Sequence, residues 1–188
     1  MKFSTLLFYF ILFLAAACGN DDDAEPRPET PLEELNRRVP KTQTGVGKFG
    51  CLIGDELWIA QWDGPFDPAV RATYYEDSDN IFLIANMDDP KSRDGFHKMY
   101  LNFGNVSNIG EGKYSPFKGK AFLGRFGNRR MGEWIIDTTK INSLEITSLR
   151  GAPDFSLSGE FSLTLYKSGS SDTLKVTEGR FDTYWTQY

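Results

Sequence analysis

Phe155-Ser156-Leu157-Ser158-Gly159-Glu160-Phe161-Ser162-Leu163-Thr164-Leu165 is the stretch that decides the fold class of this chain. Apolar and polar side chains alternate along it, the period of a β-strand with one face buried and the other wet. Gly159 interrupts the series where a bulge or bend fits. Downstream, residues 173–177 and 180–185 continue as strands, with Gly179 marking a second bulge.

The same period runs upstream to Gly45. Residues 48–53 and 56–61 flank Gly54-Asp55, a tight hairpin signal. Further strands are expected over 69–76, 80–87 and 96–103, with His97, Met99, Leu101 and Phe103 on one face of the last. Residues 120–126 and 133–137 read as a hairpin across Gly127-Asn128, and 142–149 as one more strand. About nine or ten short strands joined by Gly, Asp and Ser turns predict an all-β domain over residues 45–188. Its architecture is an antiparallel sandwich or a calycin-like barrel.

Ahead of the strands the pattern changes twice. Thr30-Pro31-Leu32-Glu33 has the form of a capping box with Pro at the first helical position. Leu32, Leu35 and Val39 then share a face until Pro40 stops the run. A helix this short must pack on something or fray. Residues 19–31 are acidic and then Pro-rich, with too little apolar surface to fold, so residues 18–44 read as a tether carrying one short helix.

Before the tether, Lys2 and the apolar run 6–14 lead through Ala15-Ala16-Ala17 to Cys18. That run is too short for a membrane span and reads as a secretory signal over residues 1–17. With a cysteine at the cleavage point it resembles the lipobox of bacterial lipoproteins, where the cysteine carries lipid. Cys18 is therefore the expected lipidation site and membrane anchor. Cys51, the other of two cysteines, then has no disulfide partner and is expected as a buried, inert thiol.

Composition narrows the chemistry. A formal charge of −5 argues against binding a phosphate backbone, so no nucleic-acid partner is expected. Gly45-Val46-Gly47-Lys48-Phe49-Gly50 matches G-x-G-x-x-G literally, but a strand and hairpin follow it where a dinucleotide site needs a helix. His97 is the only histidine, and no spare thiol completes a zinc shell. Asp88, Asp89 and Asp94, or Asp77 and Asp79, would begin a calcium cage, but turn chemistry explains both loops. No pair among the acids stands out as catalytic, and no cofactor, metal or catalytic residue is assigned.

Aromatic residues carry the remaining signal. Trp58 and Trp62 lie four apart around a strand end, so at least one should leave the core near a loop. Tyr74 and Tyr75 point to opposite faces, as do Tyr184 and Trp185. Trp58, Trp62, Trp185 and Tyr188 are the candidate ligand-binding rings, because exposed aromatics mark contact sites.

Two resemblances add an address. Cys18 followed by Gly19-Asn20-Asp21-Asp22-Asp23 resembles the acidic export signal of surface lipoproteins in Bacteroidota. Thr44-Gly45, with Gly47-Lys48-Phe49-Gly50-Cys51-Leu52-Ile53-Gly54-Asp55-Glu56-Leu57-Trp58, and the closing Val176-Thr177-Glu178-Gly179-Arg180-Phe181-Asp182 are similar to an uncharacterised family of lipoprotein domains from that phylum. The resemblance implies an outer-membrane lipoprotein, displayed on the cell surface by Asp21, Asp22 and Asp23, and implies no activity. The leading expectation is a non-enzymatic binding or accessory module with a glycan or protein ligand. The alternatives are a calycin-like carrier of an apolar molecule and, third, a carbohydrate-active enzyme. No feature of the sequence sets an oligomeric state.

Overall fold

The computed structural model describes residues 29–61, 68–87, 96–104, 111–114, 120–125 and 134–187. For residues 96, 97, 103, 104, 114 and 122–125 it describes the backbone only. Among the described residues, one helix, α1 (Pro31–Arg38), precedes eleven strands. These are β1 (Val46–Ile53), β2 (Glu56–Ile59), β3 (Val70–Tyr75), β4 (Asn80–Asn86), β5 (Phe96–Gly104), β6 (Gly112–Tyr114), β7 (Lys120–Arg125), β8 (Trp134–Ile136), β9 (Ser143–Leu149), β10 (Ser156–Lys167) and β11 (Thr173–Gln187).

All eleven strands belong to one hydrogen-bonded sheet, in the order β2-β1-β11-β3-β4-β5-β7-β8-β10-β9-β6. Strand β10 also pairs with β11, so the pairings run from β11 through β3, β4, β5, β7, β8 and β10 back to β11. The sheet curls on itself as a barrel does, with β1–β2 and β9–β6 as extensions beyond the circuit. It is mixed, because β11 meets β3 in parallel through Trp185, Thr186 and Gln187 while its other neighbours are antiparallel.

The alternation read at residues 155–165 holds through Gly159. Leu157, Phe161, Leu163 and Leu165 are buried, and they join inward residues of β1–β5 and β7–β11 in one contiguous apolar cluster. Burying a side chain of this size contributes about 1.5–3 kcal/mol. The irregularity expected at Gly159 lies across the ladder, where β9 places an extra residue, Thr147, opposite the step from Ser158 to Gly159. The second one is at Glu178, an extra residue in β11 relative to both β1 and β10, with φ of 53°. A bulge leaves the strand continuous, so residues 173–187 form one strand where the sequence suggested two.

Two aromatic–glycine pairs face each other across β10 and β11: Gly159 opposite Phe181, and Phe161 opposite Gly179. A Cβ on Gly159 would sit 2.6 Å from the Phe181 ring, and one on Gly179 would sit 2.5 Å from the Phe161 ring. Each ring fills the space its glycine leaves, and the two rings stack at 6.3 Å.

Helix α1 forms where its capping box predicts, with the Thr30 side chain accepting from the Glu33 amide and Glu33 answering at the Thr30 amide. It packs on the outside of the β1–β2 hairpin. Leu35, Val39 and Ile59 are buried together there, while Leu32, expected on the same face, is 40% exposed. Gly50 makes this docking feasible, since a Cβ on it would come within 2.8 Å of the Leu35 side chain. The helix assigned to the tether therefore packs against the β-domain.

Candidate functional site

The candidate rings separate. Trp58 is expected among ligand-facing aromatics, but it is 3% exposed and meets Phe49 edge-on at 5.7 Å inside the core. A buried ring offers no face to a ligand, because β2 turns this position inward beside Cys51. Trp185 is half-buried at one end of the sheet, edge-on to Phe155 at 5.0 Å and to Tyr74 at 5.9 Å. Its indole N–H donates to the Arg150 carbonyl. Trp62, Tyr188, Cys18, Asp21, Asp22 and Asp23 lie outside the described residues, as do Asp88, Asp89, Asp94 and the His97 side chain.

Cys51 is fully buried, and burial pushes its thiol well above the ordinary range. Among the described residues no three His, Cys, Asp or Glu side chains lie close enough to hold a metal ion. Asp79 accepts from the Tyr74 hydroxyl, whose pKa is raised by burial and then by that carboxylate.

The motif at the end of the chain, Arg180-Phe181-Asp182, performs structural work that the sequence does not announce. Asp182, 2% exposed, accepts from the hydroxyls of Thr42, Thr44 and Ser158 and from the amides of Thr44 and Gly45. Burial alone would raise its pKa, but these hydrogen bonds outweigh it and hold the carboxyl below the ordinary range. Arg180, also buried, donates to Asn36 Oδ1 and to the Val39 carbonyl at the end of α1. Lys41 adds an ion pair to Glu160, and the Gln43 amide donates to the Thr147 carbonyl. Residues 40–45 thus form a strap fixed to the outer face of β9, β10 and β11.

Beside the strap a groove of about 320 Å³ runs over the same face, lined by Lys113, Ser143, Glu145, Glu160, Ser162 and Glu178 among others. Each carboxylate has a cation: Lys113 at 3.5 Å from Glu145, Lys41 on Glu160, and Arg180 at 3.6 Å from Glu178.

The outer face of β3, β4 and β5 has different chemistry. Ile81, Leu83, Ala85, Met99 and Leu101 point into the core, so their neighbours point out. Phe82, Ile84 and Tyr100 are half-buried there, and Tyr75 is 43% exposed. Tyr75 meets Phe82 edge-on at 5.6 Å, and Ile84 stands opposite Tyr100. Sequence reading set Tyr74 and Tyr75 on opposite faces but did not find Phe82 or Tyr100, since residues 81–85 are an unbroken apolar run.

No protein-family model, no curated protein and no solved structure matches the chain.

Proposed function

We propose that this chain is a lipid-anchored binding or accessory module of the outer membrane, held at Cys18 and presented at the cell surface by Asp21, Asp22 and Asp23. Its ligand is a glycan or a protein, and it performs no chemistry of its own. The observation that carries this reading is the outward cluster of Tyr75, Phe82, Ile84 and Tyr100 on β3–β5. Aromatic and aliphatic side chains gathered on the outward face of a sheet and only partly covered mark contact surfaces. The carrier alternative needs a hollow interior, whereas the inward side chains form a contiguous apolar cluster.

The test is to present the purified full chain, in detergent, to arrays of glycans and of extracellular proteins, beside Tyr100→Ala. A ligand whose binding falls by about tenfold or more in the variant supports the reading. Binding that Tyr100→Ala leaves intact moves the site elsewhere, and a blank on both arrays from folded protein removes the module reading. The anchor is tested separately: Cys18→Ala should leave the protein out of the membrane fraction, and persistence there contradicts lipidation.

A further inference from the structure

The outward positions of β3, β4, β5 and β7 form a lattice whose rows follow from strand register. One row runs Thr73–Phe82–Asn102–Lys120 and the next runs Arg71–Ile84–Tyr100. Asn86 stands opposite Lys98 in the row beyond. With strands about 4.8 Å apart, four of them span roughly 14 Å. Rings and amides therefore interleave over an area that several sugar units would cover.

Three features give this face a chemistry. The rings of Tyr75, Phe82 and Tyr100 supply apolar surface. The side-chain amides of Asn86 and Asn102 and the Tyr100 hydroxyl make no hydrogen bond among the described residues, and each can both donate and accept. The charged side chains at the described outward positions are all cationic: Arg71, Lys98 and Lys120. Arg71 and Lys98 also contact other groups of the protein, while Lys120 is exposed at the end of its row. The carboxylates Glu145, Glu160 and Glu178 line the groove on β9–β11 instead.

From this pattern we infer that the β3–β5 face binds an acidic oligosaccharide, a sugar chain bearing uronic-acid carboxylates. The inference rests on the binding-module reading and names its ligand class. Sugar C–H faces lie on the rings, hydroxyls exchange hydrogen bonds with Asn86, Asn102 and Tyr100, and the carboxylates face Lys120. Charge complementarity separates this ligand from a neutral glycan, and hydroxyl-rich chemistry separates it from other polyanions.

The experiment titrates the purified full chain in detergent with polygalacturonate, with neutral dextran and with oligodeoxythymidylate, at low and high salt. The expected result is saturable binding to polygalacturonate alone, weakened by salt. It should fall about tenfold in Tyr100→Ala and in Lys120→Glu. Protection of Cys51 from thiol reagents confirms that each variant is folded. Unchanged affinity in both variants overturns the assignment of the face. Equal binding of oligodeoxythymidylate overturns the sugar, and equal binding of dextran overturns the acidic class. A protein ligand lost in Tyr100→Ala, with no polymer bound, overturns this inference and leaves the module reading standing.

Discussion

The outer surface of one continuous sheet carries two opposite solutions to being exposed. On β9–β11 it is hydroxyl and carboxylate, and part of it is roofed by the protein's own residues 40–45. On β3–β5 it is aromatic and amide, and the side chains of Asn86, Asn102 and Tyr100 make no hydrogen bond among the described residues. The polar face holds the protein together, whereas the apolar one is where we place the ligand. This reverses the usual expectation that apolar surface serves stability and polar surface serves recognition.

The sharpest way to break the comparison is Asp182→Ala. It strips the acceptor from five donors under the strap, and buried donors left unsatisfied cost about 1–3 kcal/mol each. We expect a loss of about 3 kcal/mol or more in urea denaturation, with polygalacturonate affinity unchanged for the folded fraction. A loss under about 1 kcal/mol would mean that the strap does not depend on this carboxylate. Asp182→Asn adds a pH signature. The folded-state pKa is lowered, so the carboxylate's contribution is complete above the unfolded value of about 3.9 and is lost as pH falls through the folded value. The stability gap between wild type and Asp182→Asn should therefore be wide at neutral pH and close under acid. A gap that stays constant with pH would contradict the assignment.

Gly179→Ala comes next. The new methyl would lie 2.5 Å from the Phe161 ring, and overpacking of this kind costs about 1–3 kcal/mol. Calorimetry should show a lowered melting temperature, and pairing the change with Phe161→Leu should recover part of it. Phe82→Ala sharpens the contrast from the other side. Its ring is half-buried, so the stability cost should be near 1 kcal/mol, while ligand affinity drops by at least several-fold. The smallest effect belongs to Lys41→Ala. Its ion pair with Glu160 is more than a third exposed on both sides and should contribute between about 0 and 1 kcal/mol.

These expectations also mark what the sequence could reveal. The period of two at residues 155–165 announced an all-β domain because one face of β10 is apolar core and the other carries polar side chains. The capping box at Thr30 announced α1 because it uses local bonds only. What was not legible depends on neighbours. Strand β6 is three residues long, too short to show a period. The bulge at Glu178 looked like a break between two strands until both partners of β11 were known. Trp58 looked as available as Trp62, since a four-residue strand does not say which side faces the core. Phe82 and Tyr100 became candidates only when register set them beside Ile84 and Asn102. Arg180 and Asp182 stood out as a motif, but their role lies in a segment about 140 positions earlier in the chain.

The strap has a mechanical consequence. A pull on the chain from its N-terminal side does not begin by peeling β1 from the sheet. It first meets the contacts of Arg180 with α1 and of Asp182 with residues 42–45, two rivets on the strand most deeply embedded in the sheet. Load thus reaches the middle of the wall, where β1 and β10 flank β11 on either side, as well as the edge strand β2 on which α1 docks.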